Sequence, residues 1–103
     1  MPFEIILAPG AVKSLRRLSA HIRADVKDAL DVHLRHEPTK VSKSRIKRLR
    51  GLSQPQFRLR IGDIRVFYDV TEATAEILAI IGKDEAQAWP GEEGTPAPSR
   101  GSR

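Results

Sequence analysis

Residues 57–70 read FRLRI-GD-IRVFYDV, two alternating segments separated by Gly62-Asp63. No other feature constrains the fold as tightly. A two-residue Gly-X connection between period-two segments is a strong β-hairpin signal. It also sets a register. Ile61 falls opposite Ile64, Arg60 opposite Arg65, Leu59 opposite Val66, Arg58 opposite Phe67, and Phe57 opposite Tyr68. Successive side chains on a strand point to opposite faces. Phe57, Leu59, Ile61, Ile64, Val66 and Tyr68 therefore form the core side, and Arg58, Arg60, Arg65 and Phe67 share the other.

That second face is expensive to build. Arg60 lies directly opposite Arg65, with Arg58 next along the same strand. Like charges facing each other across a sheet destabilise it by a few tenths to about 1 kcal/mol. An anion lying across the three guanidiniums would remove the repulsion, and the guanidinium fork suits phosphate because it can bond two oxygens. Phe67 beside them offers a surface on which a base could stack. The plainer alternative is a solvated basic face with carboxylate partners supplied by Glu4, Glu76 or Asp69. The crowding of arginines favours anion binding, without separating RNA from DNA or from an acidic protein.

The rest of the chain supplies the cover for the hairpin. Phe3, Ile5 and Leu7 alternate with Glu4 and Ile6 as a strand, which Pro9-Gly10 breaks. A short helix is predicted over 11–19, with Val12, Leu15 and Leu18 on one face. A second runs over about 22–36, with Ile22, Val26, Ala29, Leu30, His33 and Leu34 at helical spacing, and Pro38 marks its end. Residues 39–44 read as a loop, 45–50 as a short extended edge anchored by Ile46 and Leu49, and 51–55 as turn-rich. A last strand covers 76–82. The order is β-α-α-β-β-β, an α+β domain whose helical hairpin packs on one face of a mainly antiparallel sheet. One domain is expected over 1–89. Residues 90–103, PGEEGTPAPSRGSR, are rich in Pro, Gly and Ser and read as a disordered tail.

Composition narrows the chemistry. The net charge is +5 over 103 residues, which suggests an anionic partner. Residues 40–65 carry nine of the 18 basic residues against one acid, Asp63. The absence of cysteine excludes disulfides, thiolate chemistry and Cys-based zinc sites. His21, His33 and His36 have no metal-site spacing, and no Gly-rich phosphate loop or Gly-x-Ser-x-Gly motif occurs. No metal or cofactor is expected. No apolar run approaches a membrane span, and the N-terminus lacks the basic region of a signal peptide, so a cytoplasmic protein is expected.

Four blocks together resemble the RelE/ParE toxin superfamily of type II toxin–antitoxin systems. They are AVKSLRRL at 11–18, the long helix, RLRGL at 48–52 and FRLRIGDIRVFYDV at 57–70. The resemblance covers residues 3–89. It implies a RelE-like fold, a cognate antitoxin as partner, and a toxin that enters the ribosome and cuts mRNA by attack of a ribose 2′-hydroxyl on the adjacent phosphorus, leaving a cyclic phosphate, with no metal. By position it assigns catalytic roles to Arg58, Arg60, Arg65 and Lys83, and RNA binding to Lys47, Arg48, Phe67 and Trp89. Arg65 and Lys83 are expected to stabilise the phosphorane, and Arg58 or Arg60 to help activate the 2′-hydroxyl or hold the phosphate. The chain departs from the pattern at its end, where GKDEAQAW places Trp89 at the position of the usual tyrosine. Tryptophan can stack but cannot exchange a proton, and no histidine neighbours Lys83 in sequence. A ParE-type inhibitor of DNA gyrase, acting by binding alone, and a degenerate non-catalytic relative stay open as alternatives.

Overall fold

The computed structural model describes residues 2–49, 52–83 and 95–96. Its elements in chain order are β1 (Glu4–Leu7), α1 (Pro9–Arg17), α2 (Ala20–Leu34), β2 (Ile46–Arg48), β3 (Leu52–Gln54), β4 (Phe57–Ile61), β5 (Ile64–Val70), β6 (Thr74–Gly82) and β7 (Thr95–Pro96). Five strands form one sheet in the order β1-β6-β5-β4-β2. β1 runs parallel to β6, and the other pairs are antiparallel. This is the predicted α+β architecture, with β2 realised as a true edge strand and a small β3-β7 pair added. Residues 95 and 96 were expected in a disordered tail but pair with β3. The rest of that expected tail lies outside the described residues.

Both helices begin before the predicted boundaries. Pro9 and Gly10, read as strand breakers, are the first turn of α1. Proline is well placed there because its fixed φ suits a helix and its missing N–H had no partner to lose. Arg16 and Arg17 occupy the last turn, where positive charge favours the helix dipole. Ser19 caps α2, its hydroxyl accepting from the Ile22 amide at 3.3 Å. Val26, Leu30 and Leu34, four residues apart, are the buried stripe of α2.

The core lies between the helices and one face of the sheet. Ala11 and Leu15 from α1 and Val26, Leu30 and Leu34 from α2 meet Ile46, Phe57, Leu59, Val66, Tyr68, Ala75, Ile77 and Ile80. Each large aliphatic side chain buried there contributes about 1.5–3 kcal/mol. The hairpin register is as predicted at all five pairs, from Phe57–Tyr68 to Ile61–Ile64. Gly62 occupies the turn at φ 57, a conformation costly for a side-chain-bearing residue.

β6 needs one irregularity to join this core. Val66 pairs with Ile80, Phe67 with Ala79, and Tyr68 with Ile77, so β6 carries one extra residue at this step. The bulge lets Ile77 and Ile80, three apart in sequence, both face inward. A regular strand could not do this.

Tyr68 joins the central strand to the segment after α2. Its hydroxyl donates to the Pro38 carbonyl at 2.6 Å, and its ring stacks on Phe57 with centroids 5.5 Å apart. Burial pushes the hydroxyl well above its ordinary pKa, so it stays neutral and keeps the proton it donates. Tyr68→Phe would leave the Pro38 carbonyl without its donor in a dry site. We expect a loss of about 1–3 kcal/mol in urea unfolding, and an unchanged midpoint would show that the bond contributes nothing.

Candidate nucleic-acid interface

The face of the sheet away from the helices carries a grid of cations that extends over three strands. The hairpin register puts Arg60 beside Arg65 and Arg58 beside Phe67. β2 then adds Lys47 beside Arg58. The amide of Arg60 donates to the Arg45 carbonyl at 2.8 Å, which continues the β2-β4 pairing by one residue and sets Arg45 beside Arg60. Ile46, between Arg45 and Lys47, is buried in the core, so its two neighbours point the other way. One row therefore reads Arg45-Arg60-Arg65 and the next Lys47-Arg58-Phe67. Neighbouring strands lie about 4.8 Å apart, so each row spans roughly 10 Å.

Among the described residues, no ion pair neutralises this grid: no carboxylate pairs with Arg45, Lys47, Arg58, Arg60 or Arg65. Of the carboxylates considered as partners, Glu4 and Glu76 form no ion pair with these cations, and Asp69 is engaged elsewhere. Asp69 accepts from the Gln56 amide at 2.7 Å, and the Gln56 side chain accepts from the Val70 amide at 2.9 Å. These reciprocal bonds close the open end of the hairpin. Burial lowers the Arg58 pKa from its ordinary value, and the charges of Arg65 and Arg60 lower it further. Arg58 Nε is buried and has no hydrogen-bond partner. A half-buried guanidinium among like charges is a position that a bound anion would relieve.

The turn end of the hairpin holds two more predicted residues. Arg65 Nη1 donates to the carbonyls of Gly62 at 2.9 Å and Ile64 at 3.2 Å, which orients its guanidinium over the turn. Lys83 follows the end of β6. Its amide donates to the Asp63 carbonyl at 2.8 Å, and its ammonium lies 3.7 Å from the Asp63 carboxylate. Both side chains are largely exposed, so this ion pair is weak and screened. A phosphate can compete for Lys83 with little penalty.

One predicted site residue, Arg48, stands off this face. Arg48 pairs with Phe57 and so belongs to the core side of the sheet. Its guanidinium sits over the Phe57 ring, 5.1 Å from the centroid, a cation–π contact at the sheet edge. Phe67 lies on the basic face as the register requires, but it is only 2% exposed. Its ring is therefore not an open platform for a base. Trp89 lies outside the described residues.

Of the histidines, His33 comes near the grid, lining a hollow with Arg45 on the α2 side. His21 pairs with Asp25 on the exposed side of α2 at 3.6 Å. Burial, then the charge of Arg45, lowers the His33 pKa, with Asp28 opposing. Among the described residues no group of His, Cys, Asp and Glu could hold a metal ion, and no helix is long and apolar enough to cross a membrane. Sequence reasoning missed Arg45 as a member of the face. The signal was present in the alternation of Arg45, Ile46 and Lys47, but β2 had no turn motif to fix its register against β4.

Comparison with known proteins agrees with the fold. The family described as ParE toxin of type II toxin–antitoxin system, parDE, matches residues 5–86. Among solved structures, the archaeal RelE-RelB complex from Pyrococcus horikoshii is 26% identical, with a TM-score of 0.66 over 81% of this chain and 97% of that one. The RelBE2 toxin–antitoxin complex from Mycobacterium tuberculosis is 26% identical, with a TM-score of 0.63 over 80% and 92%. A double mutant of the Escherichia coli toxin RelE in the free state is 25% identical, with a TM-score of 0.61 over 84% and 87%. No curated protein matches the sequence.

The opposed arginines predict a trade between stability and binding. Arg60→Ala removes the repulsion against Arg65 and is expected to raise stability by a few tenths to about 1 kcal/mol. The same change should shrink the rise in melting temperature that inorganic phosphate produces in the wild type. Thermal unfolding with and without phosphate reads both effects. A variant less stable than wild type, with an undiminished phosphate response, would contradict the assignment.

Proposed function

The chain belongs to the ParE toxin family of type II toxin–antitoxin systems, and from that premise we propose that it is a RelE-like toxin that cuts mRNA on the ribosome without a metal. The observation that carries this reading is the row of Arg60 and Arg65, backed by Arg58 and flanked by Lys83, with no carboxylate paired to the arginines among the described residues. In the reaction, the 2′-hydroxyl oxygen of one nucleotide bonds to the adjacent phosphorus, and the bond from phosphorus to the 5′-oxygen of the next nucleotide breaks. The proton lost by the hydroxyl is balanced by one gained at the leaving oxygen. The products are a 2′,3′-cyclic phosphate and a 5′-hydroxyl end.

Negative charge grows on the non-bridging oxygens as the phosphorane forms. Fixed cations aimed at that charge are the largest single source of rate in such a step. Arg65, held over the turn by two carbonyls, and Lys83, released from Asp63, act there. Arg60 holds the phosphate from the next strand. Arg58 remains charged near neutral pH. Its guanidinium, beside Arg60 on the same strand, is placed to hold the phosphate or to donate a hydrogen bond to the 2′-hydroxyl.

The cognate partner is an antitoxin that wraps the toxin by folding on binding. RelE proteins of P. horikoshii and M. tuberculosis, both similar in fold and sequence, have been solved in complex with their antitoxins.

One observation favours a second reading. Among the described residues no histidine, free carboxylate or exposed tyrosine belongs to the grid, and Tyr68 is buried on the other side. A grid of this kind is well suited to binding and poorly supplied with proton-transfer groups, as a gyrase inhibitor would be. Two assays on the same preparation separate the readings. Toeprinting on translating ribosomes should show cleavage within the A-site codon, reduced about 100-fold or more in Arg65→Ala, on the scale of losing a positioned transition-state donor. Inhibition of gyrase supercoiling without any mRNA cleavage would replace the ribonuclease reading with the second.

A further inference from the structure

The grid is longer than the cleavage chemistry needs. Stabilising one phosphorane occupies the hairpin arginines and Lys83, yet the cationic surface continues across β2 into the loop before it. Two adjoining hollows lie there. One, of about 290 Å³, is lined chiefly by Lys43, Ser44, Arg45, Lys47, Arg58 and Arg60. The other, of about 270 Å³, is lined by Ser44, Arg45, Arg60 and Gly62. Ser44, Arg45 and Arg60 are common to both, and Ser44 and Arg45 supply the ridge on the β2 side.

The backbone of this ridge is fixed. The Ser42 hydroxyl accepts from the amides of Arg45 at 3.1 Å and Ile46 at 3.2 Å. The Ser42 amide donates to the Ile46 carbonyl at 2.9 Å, and the Arg45 carbonyl accepts from Arg60. Its side chains are uncommitted. Among the described residues, Lys43, Ser44 and the side chain of Arg45 make no ion pair or side-chain hydrogen bond. A rigid loop that presents donors without partners binds an anion at low entropic cost.

We propose that Arg45, with Ser44 and Lys43, forms a second phosphate subsite that holds the RNA phosphate next to the one being cut. The proposal rests on the ribonuclease reading and assigns a role to residues which that reading does not use. Arg45 lies in line with Arg60 and Arg65, one strand further from the Lys83 end of the hairpin. A strand of RNA running across the sheet therefore meets the hairpin arginines and then the loop. Arginine at the ridge offers its fork to two phosphate oxygens, and the Ser44 hydroxyl adds a donor. Contact with the backbone alone carries no base preference, so this subsite fixes register and affinity.

Binding of short RNAs measured by fluorescence anisotropy tests the subsite. One probe is a dinucleotide with one internucleotide phosphate. The other is a tetranucleotide, and in both probes every sugar that precedes a phosphate carries a 2′-O-methyl group to prevent cleavage. Arg45→Ala should weaken the tetranucleotide roughly tenfold, as expected for a lost charge-assisted contact, and leave the dinucleotide unchanged. The slope of log affinity against log salt for the tetranucleotide should become shallower by about 0.7, the value for one phosphate on a single strand. Arg45→Glu should weaken it further, and Lys43→Ala should weaken it less. If Arg45→Ala binds the tetranucleotide like wild type while Arg60→Ala does not, the subsite is overturned and the ribonuclease reading stands. A wild-type protein that binds neither RNA overturns both. If Arg45→Ala weakens only an acidic antitoxin segment and not RNA, the ridge belongs to a protein partner and the subsite is again overturned.

Discussion

The register of β4 against β5 is the constraint from which both faces of the sheet follow. A turn of two residues, with Gly62 at a positive φ, leaves only one way for the flanking strands to pair. That pairing sends Phe57, Leu59, Val66 and Tyr68 toward the helices and leaves Arg58, Arg60 and Arg65 on the far side. The repulsion between the arginines is thus imposed by the same geometry that builds the core. Burial of the opposite face offsets it many times over, since each large apolar side chain contributes more than an opposed pair of like charges costs.

The remaining elements adapt to that hairpin. The bulge in β6 shifts the phase of its alternation so that Ile77 meets Tyr68 and Ile80 meets Val66. The two helices cover the resulting surface with short stripes, and the Tyr68 hydroxyl anchors the segment after α2. The other face receives neither α1 nor α2. Backbone pairing sets the positions of its cations, and the Gly62 and Ile64 carbonyls orient the Arg65 guanidinium further.

How much of this was legible in the sequence depends on how local the signal was. The hairpin was read pair by pair because its turn and its alternation lie within 14 consecutive residues. The helical stripes were legible for the same reason, and only the boundaries moved, each helix lying two residues earlier than expected; for α1, Pro9-Gly10 suits a first helical turn as well as a break. β2 was harder. Its partner is reached only after a second strand and a turn, so neither the addition of Arg45 and Lys47 to the basic face nor the placing of Arg48 on the other side could be fixed from spacing. Phe67 shows a different limit. Alternation gave its face correctly, but how deeply a ring is covered depends on what packs over it, which is a tertiary property.

Alternation also restricts how such a face can change over time. Adding or deleting one residue in the Gly62-Asp63 turn would carry arginines into the core and aliphatic side chains into water, since a one-residue slip exchanges the two faces of a strand. The hairpin therefore tolerates little variation in length. Proteins built on it can diverge in what they bind by exchanging side chains at fixed positions, or by remodelling the loop that precedes β2, where the chain is not bound to the two-residue period.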